Sequence, residues 1–115
     1  LPDAYKDESD IGAVCAYLEE HSGEPVSLDQ LGEVAGLSKY YLLRSFTKQK
    51  GISPYRYLET IRIAKARKLL ERNVPMIEGA LQTGFADQSH FSRFFKRLIG
   101  VTPRQYAEIF GGRQA

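Results

Sequence analysis

The sequence predicts an all-α domain of seven helices, forming two helix-turn-helix units joined by a long linker helix. Three observations carry this. One pattern is written twice in the chain. Apolar residues recur three and four positions apart, and no segment alternates convincingly as a strand. Caps and prolines precede the periodic runs, and glycines follow them.

The first copy of the pattern is Gly36-Leu37-Ser38-Lys39-Tyr40-Tyr41-Leu42-Leu43-Arg44-Ser45-Phe46, then Gly51-Ile52-Ser53-Pro54 and Tyr57. The second is Gly84-Phe85-Ala86-Asp87-Gln88-Ser89-His90-Phe91-Ser92-Arg93-Phe94-Phe95, then Gly100-Val101-Thr102-Pro103 and Tyr106. Gly36 maps onto Gly84 at an offset of 48. Leu42, Arg44, Phe46, Gly51, Pro54 and Tyr57 map onto Phe91, Arg93, Phe95, Gly100, Pro103 and Tyr106 at an offset of 49, so the copies differ by one residue in the turn.

The first helix is expected from about Ser9 to Glu20, with Ile11, Val14, Cys15 and Leu18 inward and Asp10 near its start, where a negative charge suits the helix dipole. Gly23-Glu24-Pro25 ends it. Ser27 and Gln30 read as a capping box for a short second helix that stops near Gly36. Ser38 caps the third helix, which runs to about Lys50 with Leu42 and Phe46 buried, and Gly51 terminates it. Ser53-Pro54 places proline at the first position of the fourth and longest helix, about 54–72, where no amide hydrogen is needed. Leu58, Ile61, Ala66, Leu69 and Leu70 are its apolar positions, and Arg62, Lys65, Arg67, Lys68 and Arg72 keep it basic.

Asn73-Val74-Pro75 makes the next break. A short fifth helix, about 76–83, leads into Gly84. The sixth, about 88–99, has Asp87 near its N-cap and Phe91, Phe95 and Leu98 on its buried side. Thr102-Pro103-Arg104-Gln105 repeats the cap-plus-proline start for a last helix that carries Tyr106, Ile109 and Phe110. The first helix-turn-helix therefore covers about 28–50 and the second about 76–99, with 1–7 and 111–115 as flexible ends and Gly111-Gly112 releasing the tail.

A net charge of +2 conceals an asymmetry. Residues 1–35 hold one base and nine acids, a net of −8, whereas residues 36–104 hold fourteen bases and four acids, a net of +10. Both copies lie in the basic part, which reads as the footprint of a polyanion. No apolar stretch approaches the roughly 18 residues of a membrane span. The single cysteine, Cys15, excludes an internal disulfide and sits on an apolar helix face as a core residue. It has no Cys or His partner at zinc-ligand spacing. His21 and His90 are far apart and form no metal or catalytic motif, so no cofactor, metal or reaction is expected. His21 is read as an exposed residue near a helix C-terminus and His90 as a flank or surface residue.

The stretches Gly84 to Arg97 and Gly100 to Tyr106 resemble the C-terminal DNA-binding domain of the AraC/XylS transcription regulators. The first half matches through Leu28, Leu31, Gly36-Leu37-Ser38, Leu42, Arg44, Phe46 and Gly51-Ile52-Ser53-Pro54, and the resemblance covers roughly residues 8–110. Gly32 stands where the family usually has alanine. Gly79 stands where it usually has a large aliphatic residue, removing a core side chain at ~1 kcal/mol of helix propensity. The resemblance implies sequence-specific binding of double-stranded DNA by a bacterial regulator, more often an activator that contacts RNA polymerase. It also implies an N-terminal effector-binding or dimerisation domain in a longer parent, and a cytoplasmic, nucleoid-associated setting. With both heads in one chain, this domain itself is expected to be a monomer. A linker of about 19 residues at ~1.5 Å each suits recognition helices in adjacent major grooves, which recur every ~34 Å.

The recognition helices are expected to be the third and sixth. Once Leu42 and Phe46 are buried, the third exposes Lys39, Tyr40, Leu43, Arg44, Thr47 and Lys48. The sixth exposes Gln88, Ser89, Ser92, Arg93 and Lys96, with His90 at the flank. Arg44 and Arg93 are equivalent, and the arginine fork matches the two acceptors of guanine. Gln88 suits adenine in the same way, while Tyr40 and Leu43 suit thymine methyls. The resemblance implies base contacts from the positions of Tyr40, Leu43, Arg44, Gln88, Ser89, His90, Ser92 and Arg93. Ser38, Lys39, Tyr41, Lys48, Lys96 and Arg97, at helix ends and edges, suit phosphates. Two alternatives come from other classes. A helical protein-interaction module without DNA binding is separated by salt dependence. The regulatory domain of a larger DNA-repair enzyme finds no nucleophile or metal cluster here.

Overall fold

Short polar side chains start these helices by accepting amide hydrogens that a first turn leaves unpaired. Ser27 Oγ accepts from the Gln30 amide at 3.1 Å while Gln30 Oε1 accepts from the Ser27 amide at 2.8 Å, closing the expected box. Thr102 and Gln105 repeat it at 3.1 and 2.9 Å. Ser38, Ser53 and Asp87 each accept from the amide three residues on. The computed structural model describes residues 2–85 and 87–111, with side chains except at 2–10, 76, 77 and 81.

The resulting helices are α1 (Pro2–Glu20), α2 (Leu28–Ala35), α3 (Lys39–Lys50), α4 (Pro54–Glu71), α5 (Met76–Gln82), α6 (Gln88–Ile99) and α7 (Pro103–Phe110). The all-α, seven-helix expectation holds, and no strand occurs among the described residues. The clearest departure is α1, which starts at Pro2 rather than near Ser9. Proline suits a first helical position because its missing amide hydrogen has no use there. Positions 2–7, expected as a flexible end, are therefore helical, and position 10 falls mid-helix. The Asp10 side chain, residue 1 and residues 112–115 lie outside the described residues.

The chain divides within α4, after Thr60, into two compact units. In the first, α1 packs on α2 and α3. Ile11, Val14, Leu18, Leu31, Leu42, Phe46 and Leu58 are buried there. Burying each such side chain contributes about 1.5–3 kcal/mol. The Tyr57 ring meets Phe46 edge-on at 5.4 Å. Burial, then a hydrogen bond with the Cys15 thiol, push the Tyr57 phenol above its ordinary pKa. Cys15 itself is half-buried at the margin of this core rather than inside it.

The second unit is built on aromatic rings. Ile63, Ala66, Leu70, Ala80, Phe85, Phe91, Phe94, Phe95 and Tyr106 form one cluster, with Ile99, Val101 and Ala107 packed against it. Tyr106 ties α7 to α4: its hydroxyl donates to Glu71 and accepts from Arg67 Nε at 3.2 Å. The Arg67 guanidinium also lies over the Tyr106 ring, 5.7 Å from its centroid, and the hydrogen bond to Tyr106 pushes its pKa up.

Periodicity misplaces several apolar residues in this unit. Leu98, expected inward, is exposed, whereas Phe94 and Ile63, absent from the expected apolar positions, are buried; Ile109 and Phe110 on α7 are exposed. Helical spacing identifies a face but not how far a neighbouring element extends along it. In the last turn of α6 it is Ile99, not Leu98, that packs against the core. The basic list for α4 also shortens, because Arg62 is buried and Arg67 is engaged with Tyr106.

Two glycines inside helices behave oppositely. A Cβ on Gly79 meets nothing within 4 Å, whereas one on Gly32 lands 2.7 Å from the Leu37 carbonyl oxygen. That oxygen is backbone and cannot swing aside. Gly79→Ala is therefore expected to raise Tm by about 3–6 °C, corresponding to ~1 kcal/mol of helix propensity. Gly32→Ala, the residue usual in similar sequences, is expected to lower Tm because the α2–α3 turn must open. Thermal unfolding followed by circular dichroism checks both, and equal shifts for the two variants would contradict this account.

Candidate nucleic-acid interface

The first candidate surface begins at the turn between α2 and α3. Gly36 adopts φ +70°, a left-handed conformation that L side chains rarely enter, and so reverses the chain tightly. The Leu37 amide then donates back to the Gly32 carbonyl at 2.9 Å, the helix-ending bond that joins residues five apart. The second unit repeats this device, with Gly84 at φ +92° and the Phe85 amide donating to the Ala80 carbonyl at 3.1 Å. Gly51 and Gly100 close the far ends of α3 and α6 in the same left-handed conformation.

On α3, Leu42, Ser45 and Phe46 face the core. The opposite side presents every expected residue, since Lys39, Tyr40, Leu43, Arg44, Thr47 and Lys48 are all exposed. Tyr41 is exposed as well, and Tyr41, Leu43, Arg44, Ser45, Thr47 and Lys48 line one open depression. Ser38 accepts from the Tyr41 amide at 3.3 Å, and its hydroxyl hydrogen remains available to an outside acceptor. The helix has no acidic residue, so nothing along it offsets Lys39, Arg44, Lys48 and Lys50.

α6 buries Phe91, Phe94 and Phe95. Gln88, Ser89, Ser92 and Arg93 line a second open depression, and Lys96 and Arg97 are exposed in the last turns. Like α3, it carries bases and no acid between its caps. His90 departs from its neighbours: its ring is half-buried, edge-on to Phe85 at 5.5 Å and to Phe94 at 6.4 Å, so much of it packs. Its amide donates to Asp87 Oδ1 at 2.7 Å, the cap of this helix. His21 is likewise half-buried, with its ring 4.3 Å from Tyr17 and Nδ1 3.0 Å from Glu24 Oε2.

One relation on α3 escaped the sequence reading. The Arg44 guanidinium lies over the Tyr40 ring, 6.0 Å from its centroid, and Tyr40 meets Tyr41 edge-on at 5.9 Å. The signal was the spacing of four between Tyr40 and Arg44, which makes two helix positions neighbours.

A helix-turn-helix domain family matches residues 31–109. Over 81 residues the chain is 60% identical to the HTH-type transcriptional regulator YbfI of Bacillus subtilis (strain 168), covering 70% of this chain and 30% of that protein. It is 40% identical over 101 residues to the HTH-type transcriptional activator RhaS of Escherichia fergusonii, covering 87% of this chain and 35% of the relative. A solved transcriptional regulator of the AraC-type DNA-binding-domain class from Chromobacterium violaceum superposes with a TM-score of 0.84 at 25% identity, over 93% of this chain and 96% of that one. The chain thus spans about a third of the length of these curated relatives.

Proposed function

The chain belongs to the bacterial AraC-type helix-turn-helix transcription regulators, and from that membership we propose that it binds double-stranded DNA sequence-specifically, with α3 and α6 in adjacent major grooves. The observation that supports this best is the matched pair of exposed arginines, Arg44 and Arg93. Each stands on an acid-free helix whose opposite side is buried.

In this proposal Arg44 and Arg93 each read a guanine through O6 and N7, and Gln88 suits adenine. Tyr40 and Leu43 touch thymine methyls, and Ser89, His90 and Ser92 complete the base-facing set. Ser38, Lys39, Tyr41, Lys48, Lys96 and Arg97 hold phosphates and set register without reading sequence. The domain that does this covers about residues 8–110, works in the bacterial cytoplasm, and catalyses no reaction. Activation through RNA polymerase is the proposed outcome, in keeping with the activator RhaS among the relatives. An N-terminal effector-binding or dimerisation domain is proposed for a longer parent.

Arg44→Ala and Arg93→Ala are each expected to cost about 1–3 kcal/mol in binding and to relax preference at one separate half of the site. Selection from random DNA, followed by titration of each variant on the selected site, measures both effects. If Arg93→Ala leaves affinity and preference unchanged, α6 is not a reader.

α4 is proposed as the spacer between the two reading helices. Its 18 residues give a length of about 27 Å. One residue inserted near Glu59 turns everything beyond it by ~100° about the helix axis. Specific affinity is then expected to fall while salt-sensitive, non-specific binding persists. Lys68→Gln is expected to lower the salt slope by about one unit or less. Gel-shift titrations at two salt concentrations compare the variants. A folded insertion variant with full specificity would mean that the heads are flexibly tethered.

The domain on its own is proposed to be a monomer, because one chain supplies both heads. Sedimentation at micromolar concentration is expected to give the mass of one chain, and a stable dimer without DNA is the contrary result.

A further inference from the structure

The two arginines that match in sequence stand in different surroundings. Arg44 lies over the Tyr40 ring, and Tyr40 also meets the Tyr41 ring edge-on. Among the described residues, Arg93 has no such platform. Ser89 occupies the position four residues before it, and His90, matching Tyr41, turns its ring against Phe85 and Phe94. An aromatic face attracts a guanidinium, and a stacked guanidinium explores fewer rotamers than one in open solvent. Bidentate recognition of guanine needs the guanidinium plane in one orientation, so a side chain already confined loses less freedom on binding.

We propose that Tyr40 is a positioning residue for Arg44, holding its guanidinium ready for a guanine in the first half of the site. Arg93, with no ring beneath it among the described residues, orders only on the DNA. This rests on the DNA-reading function proposed above and adds a division between the two heads. The first discriminates through a pre-ordered arginine and the second through one fixed on binding. In this proposal the effect of Tyr40 on guanine passes through Arg44.

The test is a double-mutant cycle on a site selected from random DNA by the unaltered chain. The base pair read by Arg44 is identified as the one whose guanine preference disappears in Arg44→Ala. At that pair, discrimination between guanine and 7-deazaguanine, which lacks the N7 acceptor, is measured for Tyr40→Leu, Tyr40→Phe, Arg44→Ala and Tyr40→Leu/Arg44→Ala. Tyr40→Leu is expected to reduce discrimination by about two- to fivefold, the worth of an exposed cation over a ring. Tyr40→Phe, which keeps the ring, is expected to retain it. In the Arg44→Ala background, Tyr40→Leu is expected to change nothing further at this pair.

Discrimination unaltered in Tyr40→Leu overturns the proposal. So does an equal loss in both backgrounds, since Tyr40 would then act without Arg44. A loss confined to a neighbouring thymine, detected by replacing it with uracil, also overturns it by making Tyr40 a direct contact only. If Arg44→Ala alters preference at no base pair, the reader assignment itself fails. That result is distinguishable from failure of the positioning role, which leaves the Arg44 preference intact.

Discussion

A helix of twelve residues has little stability alone, so α3 and α6 exist because each buries a stripe. Leu42 and Phe46 on α3, and Phe91 and Phe95 on α6, are wholly removed from solvent. This burial fixes rotation about each helix axis, and rotation decides which side chains remain outside. Arg44 and Arg93 are exposed because the residues two before and two after each, at nearly the opposite angle, are apolar. The glycine turns preceding both helices serve the same end, reversing the chain with the Leu37 and Phe85 amides bonded back to the Gly32 and Ala80 carbonyls.

The two units use this scheme with different materials. The first relies mainly on aliphatic side chains around Phe46, whereas the second stacks Phe85, Phe91, Phe94, Phe95 and Tyr106. The aromatic core draws His90 into packing, while the matching Tyr41 stays exposed and meets Tyr40. Turn geometry differs as well. Gly32 lies so near the Leu37 carbonyl that no Cβ fits without movement, whereas Ala80 fills the equivalent place in the second unit, where the turn has one more residue.

Charge along the sequence overstates what α4 offers to a polyanion. Four bases, Arg62, Lys65, Arg67 and Lys68, run from its middle to its end, but Arg62 is buried and Arg67 is engaged with Tyr106. Exposed basic charge without an interrupting acid is instead found along α3 and α6. Tyr106, Glu71 and Arg67 instead hold α7 to α4, a structural use for residues that composition alone assigns to the surface.

The sequence by itself determined the helix count, most of the boundaries and the exposed faces of α3 and α6. These depend on local chemistry: Ser27, Ser38, Ser53, Asp87 and Thr102 cap within three residues, glycine alone enters the left-handed turns readily, and a period of 3.6 sorts faces. Tertiary structure decided what depends on distant neighbours. It left Leu98 outside and brought Phe94 in, buried Arg62, turned His90 onto Phe85, and extended α1 back to Pro2. It also set the Arg44 guanidinium over Tyr40. Spacing made that pair neighbours, but rotamers chosen among several staggered wells bring ring and cation together, and no pattern of residue types encodes that choice.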